Sequence, residues 1–410
     1  MFQRELFDNQ IQGRNNFVGK ESVESNVPKL YLVKAVRSFM LMLPVIVLFF
    51  KENGLDMKEI FLLQSLFSLT VIILEIPTGY FSDTFGRKLS ILIGGIIATL
   101  GWIVYALAYG FWQFLLAEMI LGFGLSFVSG ADSAMLYDTL LELGRESEYQ
   151  KVEGRGLAFG VASEGLSSII GGFLALVSLR FPFYWDAAVS FLLIPIALTL
   201  TKTKRHKATT RKSNLKSMFA LMKYYLHDHA NVKWLIFYSA IVNASTMTMF
   251  WFTQPYLVSI KITMGFFGMI SAILLATSAI FSWNAHWVEK RLGRKITLAM
   301  LVAFPAAGYF LLGSFSLAWS GLFLFLFYMT RGINNPVSLD YINGFVPSDV
   351  RATVLSARNL VGRVAFSATG PFLGWASDAY SLKTAFLASG LTFLILGLIS
   401  LSFLRKHEVI

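Results

Sequence analysis

The 410-residue sequence has no cysteine. Disulfides, thiolate metal sites and cysteine nucleophiles are therefore excluded. Charge is also scarce. Asp, Glu, Lys and Arg make up 14% of the chain, against roughly a quarter of an ordinary soluble domain. No Gly-x-x-x-x-Gly-Lys-Ser/Thr loop is present, so nothing points to direct use of ATP. The five histidines, at 206, 227, 229, 286 and 407, lie nearly all between apolar runs. They offer no intramembrane metal set, which argues against an embedded metalloenzyme. His227 and His229 flank Asp228 and are the one spacing that suggests a surface metal. We expect no catalytic residue, no metal and no cofactor. The chain also opens without a signal-peptide pattern. Residues 1–29 are polar and mixed in charge and read as a tail.

Apolar residues are what the chain has in abundance. They make up 55% of it, with 38 Phe and 9 Trp. Apolar runs fall at 30–50, 60–82, 88–109, 112–141, 154–179, 184–201, 233–257, 264–287, 296–315, 317–345, 353–377 and 382–404. Most are long enough to cross the hydrocarbon as helix, which takes about 20 residues. Twelve crossings predict an all-α membrane protein with both termini on one side of the bilayer. Alternate loops differ in basic content. One set holds Arg87, Lys88, Arg145, Lys151, the block from Lys202 to Lys216, Lys290 to Lys295, Arg351, Arg405 and Lys406. The other holds Lys51, Lys58, Arg180, Lys261 and Lys383. The richer set, with both termini, is expected in the cytoplasm. Membrane orientation thus accounts for the net charge of +11 without invoking nucleic acid.

The two halves echo each other. Gly86-Arg87-Lys88 follows the second run and Gly293-Arg294-Lys295 the eighth. Asp138 precedes Arg155 much as Asp340 precedes Arg358. The offsets between copies are nearly equal, which indicates duplication of a six-span unit. The expected organisation is a tail at 1–29, bundles at 30–201 and 233–404, a basic linker at 202–232 and a tail at 405–410. Within the linker, Leu215, Met218, Phe219, Met222 and Leu226 follow helical spacing and suggest a helix lying on the membrane surface.

Residues 79–88 read GYFSDTFGRK. This resembles the loop signature between the second and third helices of the major facilitator superfamily, with Gly79, Asp83, Gly86, Arg87 and Lys88 matching. Thr84 departs where a basic residue is usual. The resemblance implies two pseudo-symmetric six-helix bundles that rock about a central solute site. It also implies a cytoplasmic latch in which Asp83 faces the start of the eleventh helix, near Ser348 to Arg351. The second copy has His286 and Lys290 in place of Gly79 and Asp83, so only the first is expected to latch.

Charges inside spans are costly and mark function by default. Glu118 and Glu164 lie in the first half, Arg331 and Arg363 in the second. We expect acids and arginines to meet across a cavity, where the carboxylates carry protons and the arginines take an anionic group. Static pairing of Glu164 with Arg363 is the structural alternative. Asp132 and Asn243 are further cavity candidates. Glu75, Asp138, Arg155, Asp340 and Arg358 are candidates for a cytoplasmic gate, against the plainer reading of solvated helix ends with ordinary ion pairs.

Drug-exporting branches of the superfamily carry an arginine where this chain has Glu118, and a Gly-Pro before the glycine pair where it has Ser167 to Ile170. The expected function is proton-coupled secondary transport of a small solute, with a lean to efflux. The alternative is an importer of an anionic or zwitterionic molecule, and a receptor or lipid flippase on the same fold ranks below both. The expected partners are solute and bilayer, with no nucleic acid, and the expected form is a monomer in the bacterial inner membrane.

Overall fold

A bilayer offers backbone N–H and C=O groups no partner, so each apolar run satisfies them internally as helix. A computed structural model describes residues 22–203, 224–225, 227–347, 350–407 and 409. Among these residues the helices group into twelve successive crossings. The first span is broken into Asn26–Ser38 and Ile46–Glu52. The second is Met57–Phe85 and the third Arg87–Leu107. The fourth is Gly110–Val128 continued by Ala131–Glu142. The fifth is Tyr149–Leu174, and the sixth is Phe181–Phe191 followed by Leu193–Thr199.

The second half begins with Ala230–Ser259, the seventh span. The eighth is Phe267–Trp283, which runs on into Ala285–Ser314; that helix bends at non-helical Gly293, where the ninth span starts. The tenth, eleventh and twelfth are Leu324–Phe345, Arg351–Ala379 and Leu382–Lys406. Nine of the twelve are long and apolar enough to cross a membrane. The other three are the broken first span and the tenth and eleventh, which carry Arg331, Asp340, Arg351, Arg358 and Arg363.

Duplication is visible in the packing. The first span packs on the fifth, the second and third on the fourth, and the third on the sixth. The seventh packs on the eleventh, the eighth and ninth on the tenth, and the ninth on the twelfth in the same way. Gly86 (φ 112°) and Gly293 (φ 77°) turn the chain at matching places. Positive φ there is accessible to glycine at little cost, which explains why both copies keep it. The face bearing these two turns is called the basic face below.

The first helix starts at Asn26, inside the segment expected as a tail. Its buried Asn26 accepts a hydrogen bond from the Thr201 amide (2.8 Å) and donates to the Thr201 carbonyl (2.9 Å). Lys29 Nζ donates to the Thr199 carbonyl at 2.8 Å. These bonds tie the entry of the first span to the exit of the sixth. The surface helix expected over Leu215–Leu226, and Ser348 opposite the latch, lie outside the described residues.

Among the described residues the buried apolar contact between the two halves lies at one end. One apolar cluster joins Phe61 of the second span to Phe252 and Phe366 of the other half, with ring centroids 5.0 and 5.9 Å apart. Gly268 approaches the fifth span so closely that an added Cβ would collide with the Ser168 carbonyl oxygen. Toward the basic face the core divides. One buried cluster there contains first-half residues alone, the other second-half residues alone. Ser367 Oγ, 3.5 Å from the Ser65 carbonyl, makes the last hydrogen bond between halves on the way inward among the described residues. Beyond it lies a cleft between the bundles, open at the basic face.

Candidate functional site

The cleft narrows toward the sealed end. Glu164 stands one turn, about 6 Å, below Ser168 and its contact with Gly268. Arg331 and Tyr328 of the tenth span lie within electrostatic reach of it from the opposite half. Arg363 stands one turn below Ser367 and is the cationic neighbour of Glu75 on the second span. Each acid thus belongs to the first half and each arginine to the second. Neither Glu164 nor Glu75 forms a direct ion pair among the described residues. The static Glu164–Arg363 pair is not made, because each arginine has a different acidic neighbour. Asn243, exposed on the seventh span, has its amide nitrogen 3.5 Å from where a Gly362 side chain would begin.

Glu118 does not reach this cleft. It is buried between the second, third and fourth spans, where its Oε1 accepts from Gln64 Nε2 at 2.6 Å and from the Tyr105 hydroxyl at 3.1 Å. The expectation that it meets an arginine of the other half is corrected: its rotational position on the fourth span turns it into its own bundle.

Asp132 is buried as well, in a network the sequence only half disclosed. Arg37 lies 3.1 Å and Lys34 3.4 Å from its Oδ2. Lys34, 2% exposed, also donates to Glu153 at 2.9 Å and Ser133 at 3.0 Å. Two cations face two carboxylates where the first, fourth and fifth spans meet. The charges balance, so the cluster holds three helices together, and only Arg37 keeps appreciable exposure. Lys34 is inconspicuous in the sequence because it sits in the first turns of an apolar run, where a lysine reads as a flank.

At the basic face Arg87 Nε donates to Asp138 Oδ2 at 2.6 Å, and Arg87 Nη1 lies 3.5 Å from Asp83. Asp83 remains 69% exposed. Among the described residues nothing stands within 4 Å of where a Gly79 side chain would begin. Lys88 Nζ donates to the carbonyls of Leu198 and Leu200, both at 2.7 Å, and caps the end of the sixth span. In the second copy Arg294 stacks over the Tyr341 ring, 3.9 Å from its centroid.

The landmark pairs of the repeat are not ion pairs in this state. Asp138 is engaged by Arg87. Arg358, buried, donates to Ser239 at 2.7 Å and Asn335 at 3.0 Å. Arg155 and Asp340 are exposed in the open cleft mouth. No cluster of side chains able to hold a metal stands among the described residues.

Two buried groups outside the cleft were missed. Asp186, 2% exposed, accepts from the amides of Leu41 (2.8 Å) and Met42 (3.1 Å) at the break in the first span. Pro44, in that break, was the available signal, since it has no N–H and disfavours helix in the residue before it. Gln254 bonds the same broken segment from the other half.

Similarity to known proteins agrees with this geometry. The family model described as Major Facilitator Superfamily matches residues 31–370. The quinolone resistance protein NorA of Staphylococcus aureus is 27% identical over 172 residues, which is 42% of this chain and 43% of that protein. The matched region thus spans less than half the length of that relative. YxaM of Bacillus subtilis, an uncharacterized MFS-type transporter, is 22% identical over 364 residues, 86% of this chain and 89% of that one. Among solved structures, the nucleoside transporter NupG superposes with a TM-score of 0.76 at 14% identity, covering 94% of this chain and 98% of that one. A bacterial homologue of the lysosomal transporter Spinster, in an inward-facing and unoccupied conformation, gives 0.71 at 15% identity over 94% and 95%. A multi-pass membrane protein with two six-span halves, a duplicated Gly-Arg-Lys turn and a cleft between them, the chain belongs to the Major Facilitator Superfamily.

Proposed function

We propose that the chain is a secondary transporter that moves a small solute by alternating access, driven by the proton gradient and working as a monomer. The observation that carries this reading is a cleft sealed at one end and open at the other, with acids on one wall and arginines on the facing wall. A solute bound there touches both halves, so its binding free energy can bias their rocking. Glu164 is the proposed proton carrier and Arg331 the proposed anchor for an anionic solute group. Arginine stays charged at any physiological pH and suits that task.

The basic face is proposed to be cytoplasmic, with both termini there and the chain in a bacterial inner membrane. Its wealth of Lys and Arg and the bacterial relatives support this. The cleft is then open inward. Efflux is the leading direction, supported by the resistance function in the name of the Staphylococcus aureus relative. Uptake of an anionic or zwitterionic molecule is the second reading, favoured by the two cleft arginines.

Reconstitution in liposomes containing a pH-sensitive dye tests the reading. Among screened solute classes at least one is expected to move protons with it. Glu164→Gln is expected to abolish that proton movement while solute binding persists. Arg331→Gln is expected to weaken binding about tenfold or more, the loss of one charge-assisted contact. No solute-dependent proton flux under any gradient would sink the coupling. Unchanged binding in Arg331→Gln would remove its role.

A further inference from the structure

The interruption of the first span leaves backbone groups unpaired deep in the protein, and side chains answer several of them. Ser167 Oγ, from the same half, donates to the Met40 carbonyl at 3.2 Å. Asp186, from the same half, takes the amides of Leu41 and Met42. Gln254, from the opposite half, takes three more. Its Oε1 accepts from Val47 N at 2.8 Å and Leu48 N at 3.4 Å, and its Nε2 donates to the Leu43 carbonyl at 2.8 Å. One amide therefore joins the break, at Leu43, to the first turn of the helix that follows it, at Val47 and Leu48, using its donor and its acceptor at once.

The short helix Ile46–Glu52 is fixed to the first half. Phe49 and Phe50 pack on Phe114 with centroids 5.4 and 5.2 Å apart, and Phe49 meets Phe183 at 4.1 Å. Just beyond it, Asn53 Oδ1 accepts from Arg180 at 2.7 Å. When the halves part at the sealed end, this helix stays with the first half and Gln254 leaves with the second. The other polar links between halves differ in setting. Asp378 accepts from the amides of Met57 (3.1 Å) and Lys58 (2.8 Å) at the exposed rim, where water can replace it. The Ser367 bond is long, at 3.5 Å. Gln254 is 4% exposed, so its partners find no water until the seal has opened.

We propose that Gln254 is the clamp of the outer gate: it holds the broken first span against the seventh and favours the inward-open state. The proposal rests on the alternating-access reading but on nothing about solute or protons. A leucine at 254 retains the bulk and removes every one of these bonds. The cost falls on the sealed state, because the open state exposes the Leu43, Val47 and Leu48 groups to water.

The absence of native cysteine makes the test direct. Spin-label pairs on Lys51→Cys with Lys383→Cys report the sealed end, and Lys151→Cys with Lys290→Cys report the basic face; all four positions are exposed. Gln254→Leu is expected to move the population from the inward-open toward the outward-open distances by about tenfold, lengthening the first pair and shortening the second. Gln254→Asn, one methylene shorter and unable to reach Leu43 and Val47 together, is expected to shift it in the same direction and serves if the leucine variant does not fold. Thr253→Val is the control, because Thr253 bonds only the Met249 carbonyl in its own helix (2.8 Å). It is expected to keep the parent distances. Parent distances in folded Gln254→Leu or Gln254→Asn would overturn the proposal, and so would an equal shift in Thr253→Val. Failure to find a transported solute would count against the proposed function and not against these distances.

Discussion

Asp186 is a carboxylate surrounded by protein within the span region, tolerated because two backbone amides point at it. Asp186→Ala would leave both amides without an acceptor. At ~1–3 kcal/mol for each buried unsatisfied group, the expected loss of stability is about 2–6 kcal/mol, read as a fall in the unfolding midpoint in detergent. Asp186→Asn keeps one acceptor oxygen and should fall less. If Asp186→Ala melts with the parent, this account of the break is wrong. In the sequence Asp186 follows Trp185 at the edge of an apolar run, where any acid reads as an interface residue. Lys34 was hidden for the same reason. Hydropathy reports how polar a position is but not which way it turns, and Glu118 shows the converse. Its depth was legible in the sequence. Its orientation depended on Gln64 and Tyr105, partners 54 and 13 residues away.

The spans themselves were legible because the bilayer enforces them: a helix must be about 20 residues long and apolar. The duplication was legible because Gly86 and Gly293 need a backbone conformation that few other residues accept. The break in the first span was not, since Pro44 alone does not distinguish a kink from an interruption. Close helix approaches escaped as well, and they set which elements can separate. Gly171 admits the Leu41 carbonyl against the fifth span, within one half. Gly268 admits the Ser168 carbonyl at the boundary between halves. Gly268→Ala places a methyl group where the fifth and eighth spans must close. It is expected to spare the stability of each half and to lengthen the Lys51–Lys383 label distance. An unchanged distance would show that the spans yield locally instead.

For the whole molecule, the state seen is open at the basic face, and the charges respond to that. Asp83 is 69% exposed and pairs only loosely with Arg87 among the described residues. An exposed ion pair contributes about 0–1 kcal/mol. Asp83→Asn should therefore leave the unfolding midpoint of this state nearly unchanged. If the latch operates when the basic face closes, the same variant should slow transport about tenfold, a loss of ~1.4 kcal/mol at that step. A midpoint that drops with no change in rate would reverse the assignment, making Asp83 a stabilising residue and not a latch. Of the gate candidates, Asp138 and Arg358 are engaged inside their own halves. Arg155 and Asp340 face an open mouth, and any partners across it would belong to the closed state.

The one-sided cleft also decides how the protein could be blocked. A compound that wedges between Glu164 and Arg331 must arrive through the basic face. Added to the other side, it would first have to permeate the bilayer. An antibody directed at that other side would meet a closed roof of rim residues such as Lys58 and Asp378. On the proposed alternating-access reading it would inhibit by preventing that roof from opening, without ever touching the cleft.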